Sequence, residues 1–453
     1  MSATRMADPI DKLDSGDPAE FRRRQVVVIG TMYAGYAASM VLRMIPTVAG
    51  NAIRHDPELG IDLEAWGQVL AAGTCGAMMG KFLCGWAADR FGGKKTFSVA
   101  LCVASVFVAL FALSSSLRTL QATFFVVLMA QAAGWPSMTK IIVNWASPKQ
   151  YGRVWGILST SSRVGTLTAT FVLGSLLAWM SWREMLWIAA IIGSGVALFY
   201  GLMMQERPAT AIPEERAGEP ETGAVIAKPA HPFDELTLAA ALPRMFASLR
   251  FWLIAASLMG LTILWDFLLF VPMYLQDVLQ LEEAQASRAA SAFPLGSLIS
   301  VLVGGYVFDR LERKRMGIVM AGLLSVAVGC LVVFAALPKW GLSGTAAMLA
   351  SLGLLFLFGL CVSPCYYIPV SVFSIDFGGR HSGFLVAILD AIGFAATATF
   401  YYFGGGIAQH QGWSVFLGVL AGVGAWSLVM TYFFMQREGR TIRRKKSETP
   451  NPK

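Results

Sequence analysis

Six ionisable side chains stand inside long apolar runs of this chain: Arg43, Lys81, Lys140, Arg163, Asp266 and Asp390. An ionisable group at mid-membrane depth costs about 2.5–3.5 kcal/mol on insertion scales, so such groups mark pathways or pairs. Arg43 offers a permanent charge and a planar fork that fits a carboxylate or a phosphate. Tyr36, two helical turns earlier, shares its face. Arg43 could instead snorkel toward the outer surface, beside Arg54 and His55. Lys81, Lys140 and Arg163, the last within Ser159-Thr160-Ser161-Ser162-Arg163, either face the same interior or serve as salt-bridge partners or snorkelling cations. Together they make the interior of the first half cationic, and its natural ligand is a small anion. Desolvation favours the neutral form of a carboxylate. Asp266 and Asp390 are therefore candidates for taking up and releasing a proton; alternatively each pairs with a cation across the interface, Arg43 or Arg163. Trp265 and Tyr366 flank these positions and could stack on an organic ligand. Trp135, Trp145, Trp155, Tyr367, Tyr401 and Tyr402 are more simply interfacial anchors or packing.

Apolar helices must position these groups. Of 453 residues 56% are hydrophobic and 14% charged, with mean hydropathy +0.59, against roughly a quarter charged in a soluble domain. A bilayer core needs about 20 apolar residues per helix. The chain supplies twelve such runs, near 25–53, 65–87, 94–115, 119–145, 153–178, 184–204, 249–276, 287–308, 315–337, 345–374, 382–408 and 413–435. The expected fold is an all-α polytopic membrane protein, twelve transmembrane helices in two pseudo-symmetric six-helix bundles at 25–204 and 249–435. The intervening 205–248, with Pro208, Pro213, Pro220 and Pro229, reads as a linker that cannot bury a core, and its end, 233–249, as an amphipathic surface helix. Residues 1–24 and the basic 436–453 read as tails.

The net charge of +8 does not point to nucleic acid, because the bases gather in loops between apolar runs. They report orientation. Arg22-Arg23-Arg24, the loop at 89–95, Lys149 and Arg153, 205–248, Arg310 to Arg315, Arg380-His381 and Arg440 to Lys446 alternate with acidic or neutral loops such as Asp56 to Glu64 and Asp277 to Glu283. Both termini are expected in the cytoplasm, the chain lying in the plasma membrane as a monomer. The six cysteines lie in apolar runs without metal-ligand spacing, and the four histidines are far apart. No metal, cofactor or enzymatic nucleophile is expected, nor is ATP-driven pumping, since no Walker motif is present.

Between the second and third runs stands Gly85-Trp86-Ala87-Ala88-Asp89-Arg90-Phe91-Gly92-Gly93-Lys94-Lys95. Gly85 permits close helix approach, Asp89 can pair with Arg90 or cover a neighbouring helix's amides, Gly92 and Gly93 turn the chain, and Lys94 and Lys95 hold the hairpin in the cytoplasm. A degraded copy follows 220 residues later, with Asp309 and Arg310 in Gly305-Tyr306-Val307-Phe308-Asp309-Arg310. A six-helix repeat is what a two-bundle transporter requires. The loop Gly-x-x-x-Asp-Arg-x-Gly-x-Lys-Lys resembles that of the major facilitator superfamily of secondary transporters, which implies that these residues form a conformational-switch loop.

Tyr36-Ala37-Ala38 with Arg43, Lys81 eight residues before Asp89, and Gly134-Trp135-Pro136 followed by Asn144-Trp145 and Gly152 are similar to the organophosphate:phosphate antiporter family. The resemblance implies that Tyr36, Arg43 and Lys81 line an anion site. It covers most of the first half and thins in the second. That family sets a second arginine in the seventh helix; position 263 or 264 holds Ile263 or Leu264, followed by Trp265-Asp266, and the family's histidine of the fifth helix falls at Ser162. The two-arginine phosphate clamp is therefore absent. The expectation is a secondary transporter working by alternating access on a small organic anion, coupled to protons or to exchange with inorganic phosphate. Organophosphate exchange and a transporter-like anion sensor are the alternatives.

Overall fold

Capping residues, glycines and prolines divide the chain into twelve spanning helices, labelled α1 to α12. The computed structural model describes residues 18–146, 150–207, 236–308, 310–341, 344–378 and 381–448. Asp309, Lys149, Arg380 and residues 208–235 lie outside the described residues.

Helix α1 runs Pro18–Arg43 and, after Met44, Ile45–Arg54, with Pro46 at the start of the second piece. Helix α2 is Leu63–Phe91 and α3 Gly93–Ala112. Helix α4 is Leu117–Gln131 resumed as Gly134–Trp145. Helix α5 is Tyr151–Thr168, extended through a π-helical turn Ala169–Leu173 to Gly174–Leu176, and α6 is Trp182–Met203. In the second half, α7 is Leu249–Asp266, a 3-10 turn Phe267–Leu269, then Val271–Leu279. Helix α8 is Glu283–Ala290 and Ala292–Phe308, α9 Arg313–Ala336, α10 Gly344–Gly378, α11 Ser382–Gln411 and α12 Trp413–Glu448. Among the described residues eleven helices are long and apolar enough to cross a membrane; α5 falls short, its serines, threonines and Arg163 lowering its hydropathy. Such polarity is tolerated where a helix faces protein or water instead of lipid.

Polar starts are capped locally. The Asp62 carboxylate accepts from the Ala65 N–H at 2.8 Å, and that bond foremost holds its carboxyl below the usual range. Ser116 with Thr119 and Ser181 with Glu184 form reciprocal caps for α4 and α6. The short surface helix Leu238–Phe246 lies on the start of α7, where Phe246 meets Phe251 edge to face. This is the part of the expected 233–249 helix that the described residues contain.

Within the first six helices α2 packs on α4, α3 on α6 and α1 on α5 and α6; within the last six, α8 packs on α10, α9 on α12 and α7 on α12. The equivalence of α2–α4 with α8–α10 extends to atoms. A Cβ on Gly76 of α2 would come 2.1 Å from the Phe125 carbonyl oxygen of α4, and one on Gly296 of α8 2.1 Å from that of Phe356 on α10. Backbones cross there with no room for a side chain.

The halves meet through α2 against α11, α5 against α8 and α1 against α7, and at the end away from the termini they are tied by polar bonds. Gln409 accepts from the Glu64 N–H at 2.9 Å and donates to Asp62 at 3.0 Å. Arg54 lies 3.4 Å from Asp277, Glu283 accepts from the Ala52 N–H at 2.9 Å, and Ser287 donates to the Thr170 carbonyl at 2.9 Å. Asn51 donates to Gln276. This closed end depends on Gly405, whose Cβ would stand 2.2 Å from the Leu63 carbonyl oxygen. Gly405→Leu is expected to wedge α2 from α11 and shift the molecule toward opening at this end. A spin-label pair at Glu58 and Gln411 should report a longer distance population; an unchanged distribution would mean that the approach is not what closes it.

Candidate functional site

Helices α1 and α7 each break one residue after a charged side chain, Arg43 and Asp266, and the breaks bring the two charges face to face. Arg43 Nη2 is 4.0 Å from Asp266 Oδ1, and Nη1 donates to Gln131 Oε1 at 3.1 Å. The Asp266 side chain is 6% exposed, and its backbone carbonyl accepts from the Tyr401 hydroxyl at 3.1 Å. Lys81 of α2 and Asp390 of α11 make the second pair, Nζ to Oδ2 at 2.7 Å, with Phe394 beneath the ammonium at 5.5 Å.

The third cation, Arg163, is held differently. Its Nη1 donates to the Ser159 carbonyl at 2.8 Å and to Ser162 Oγ at 2.7 Å, and its Nη2 to the Tyr367 hydroxyl. Its guanidinium lies 4.6 Å from the Tyr367 ring centroid and 5.4 Å from that of Trp265. Among the described residues it has no carboxylate partner, and its buried Nε is without an acceptor. The cluster thus counts three cations from the first bundle against two carboxylates from the second.

Aromatic rings surround these charges. Trp265 stacks on Tyr366 at 5.5 Å and 17°, and Trp135 on Trp155 at 5.1 Å and 27°. Tyr36 leans on Trp135 at 5.2 Å and occupies space that a Cβ at Gly134 would fill, which accounts for Gly134-Trp135 on α4. Tyr36 is within electrostatic reach of Arg43, Arg163 and Asp390, and Tyr366 of Asp390, Asp266 and Arg43. The side chains of Arg43, Lys81 and Asp390 are 17%, 19% and 23% exposed. Beyond Arg43, Met44 to Asn51 are buried. Water therefore reaches the cluster from the side of the termini.

The structure brings together Tyr36, Arg43, Lys81, Arg163, Trp265, Asp266 and Asp390. It does not bring Lys140 to them. That ammonium, half exposed, lies 2.5 Å from the Asp89 carboxylate, nine residues beyond Gln131 or about 13 Å by helical rise. Asp89 accordingly takes neither of its expected partners, Arg90 or neighbouring amides. Glu206, three residues past the end of α6, covers the amides instead, accepting from the Gly93 and Lys94 N–H groups at 2.8 and 2.7 Å, a carboxylate at the positive end of α3. Gly92 turns the loop at φ 87°. Gly85 has open space around it, and Lys95 is exposed. In the second copy Arg310 donates to the Tyr306 carbonyl at 2.8 Å. Two further residues join the site. Gln131 is uncharged and so stands out less than the ions, its one signal being a polar side chain in the 119–145 run one turn before Trp135. Tyr367, expected to be packing, turns its hydroxyl to Arg163 beside the expected Tyr366.

A family model described as the Major Facilitator Superfamily matches residues 27–379. The chain is 23% identical to a probable sulfoacetate transporter of Cupriavidus necator, over 88% of this chain and 92% of that one. It is 25% identical to a hexuronate transporter of Bacillus subtilis, over 83% and 87%, and 24% identical to the mouse glucose-6-phosphate exchanger SLC37A1, over 80% and 77%. The last agrees with the organophosphate:phosphate likeness of the first half. Among solved structures, a bacterial homologue of the human lysosomal transporter Spinster superposes with TM-score 0.63 at 18% identity, covering 94% of this chain and 96% of that one. Two like bundles meeting over a charged centre, and a family match across most of both, lead to one statement: this chain belongs to the major facilitator superfamily.

Proposed function

We propose that this chain is a secondary transporter that carries a small organic anion, in symport with a proton, by alternating access between its bundles. One observation carries the reading: the cations Arg43, Lys81 and Arg163 stand on the first bundle and the carboxylates Asp266 and Asp390 on the second, with one positive charge left over. In this state the carboxylates neutralise two of the cations. A monoanion would be drawn to Arg163, where a planar donor is held ready and the buried Nε–H has no acceptor. Protonation of a carboxylate would free its cation for the anion, so that both ligands enter together. Orientation by loop charge puts the termini, and the open side, in the cytoplasm of a plasma-membrane protein.

The named cargoes of the relatives are carboxylates, a sulfonate and a sugar phosphate, all anions. Asp266 opposite Arg43 favours a monoanion over a phosphate dianion, which a carboxylate would repel. The test is flux into proteoliposomes loaded with buffer or with inorganic phosphate, offered labelled glucuronate, benzoate, sulfoacetate and glucose-6-phosphate with and without an inward proton gradient. Gradient-driven accumulation of a monocarboxylate, glucuronate or benzoate, ahead of the dianions sulfoacetate and glucose-6-phosphate, is expected. Uptake of glucose-6-phosphate only against internal phosphate would replace symport by exchange, and binding without flux of any anion would make the chain a sensor.

A further inference from the structure

The hydroxyls and amides nearest Arg43 and Arg163 are already engaged with one another, and among the described residues the Tyr366 hydroxyl is the one left over. Gln131 accepts from Arg43 through its oxygen and donates from its nitrogen to Met40 Sδ; Ser162 accepts from Arg163 and donates to the Ser159 carbonyl; Ser363 bonds Ser297 at 3.0 Å and the Tyr367 hydroxyl at 2.8 Å. A sugar acid brings several hydroxyls that need partners, and each one left unpaired in a desolvated site is costly. Aromatic faces are what the site has to spare. Each bundle contributes a stacked pair, Trp135 with Trp155 and Trp265 with Tyr366, and all four rings are only half-buried. Two of them stand beside the unpaired cation: Trp155 lies two turns before Arg163 and shares its helical face, and the Trp265 ring lies 5.4 Å from the Arg163 guanidinium.

Resting on the anion-transport reading, we propose that the cargo is a planar aromatic monocarboxylate, its carboxylate on Arg163 and its ring against the Trp265–Tyr366 stack. Arg163 is itself held over Trp265 and Tyr367, so a carboxylate bound to it brings its ring beside the same aromatic side chains. Trp265 is then a specificity-determining residue. An aromatic ring gains from offset or edge-to-face contact beyond its apolar area, whereas a saturated ring of equal size gains area alone.

The experiment is calorimetric titration of the full chain in lipid nanodiscs with benzoate, 2-naphthoate, cyclohexanecarboxylate and glucuronate, beside uptake of the same anions into proteoliposomes. Benzoate and 2-naphthoate should bind on the order of tenfold more tightly than the other two. Trp265→Leu should bring benzoate down to the level of cyclohexanecarboxylate, and Trp265→Phe should keep most of the preference. Should Trp265→Leu fail to elute as a monodisperse species, Tyr366→Leu reads the same ratio. Equal binding of benzoate and cyclohexanecarboxylate, or glucuronate binding tightest, overturns the aromatic assignment while leaving anion transport in place. No binding and no flux of any anion overturns both.

Discussion

Arg163→Ala is expected to cut anion uptake and anion affinity at least about thirtyfold. Truncating one partner of a desolvated, hydrogen-bonded charge pair costs about 2–5 kcal/mol, and each 1.4 kcal/mol is tenfold. Of the three cations in the cluster Arg163 is the one without a carboxylate partner among the described residues, so its removal takes away the surplus charge as well as the donors. Arg163→Lys keeps the charge but loses the fork that spans Ser159, Ser162 and Tyr367. It should recover only part of the affinity. Neither Arg43→Ala nor Lys81→Ala should match the alanine variant at Arg163, since each leaves the second-bundle acid unpaired yet spares the anion's own cation. Calorimetry and uptake on monodisperse protein decide it. Binding within threefold of the parent would move the anion from Arg163 to Arg43, whose partner Asp266 already stands off at 4.0 Å.

The order of helices and the residues that become buried charges are legible in the sequence because lipid forces them into view. A run of twenty apolar residues has one structural solution, and a lysine or arginine inside it cannot pass unnoticed. Pairings are not legible, because they depend on helix rotation and on contacts across hundreds of residues. Lys140 illustrates the limit. Its depth in the 119–145 run resembles that of an interior cation, yet it stands in the piece Gly134–Trp145, five residues from its end, where its ammonium meets Asp89. Asp89 and Glu206 illustrate another. Either carboxylate could have covered the amides of Gly93 and Lys94; geometry gives them to Glu206, 112 residues from Lys94 in sequence. The missing seventh-helix arginine is visible as an absence, but its meaning is not. A repeat offset of 220 residues carries Arg43 to Ile263, whereas the helix breaks equate Arg43 with Asp266. A charge of opposite sign stands at the pseudo-symmetric position, turning a phosphate clamp into an ion pair.

That inversion leads to the second prediction. Asp266→Asn, which copies the shape of the acid without its charge, is expected to abolish accumulation driven by a proton gradient while leaving anion exchange intact. It should also make anion affinity insensitive to pH and about tenfold tighter than the parent at pH 8. Across 4.0 Å the gross attraction of the pair is about 4 kcal/mol at an effective dielectric near 20. About a third of it, released when the carboxylate loses its charge, would account for tenfold in affinity. Asp390 provides the comparison. Its pair with Lys81 is a direct hydrogen bond at 2.7 Å, and the Asp390 side chain is 23% exposed against 6% for Asp266, so Asp390→Asn should slow uptake without uncoupling it. If Asp390→Asn uncouples and Asp266→Asn does not, the proton travels with Lys81. If neither variant changes accumulation, no carboxylate in the cluster carries a proton, and the inward force must come from a counter-anion leaving through the same surplus charge. The two variants thus separate symport from exchange whatever the cargo is, because linkage requires that whatever tightens anion binding when protonated must itself bind protons more tightly when the anion is present.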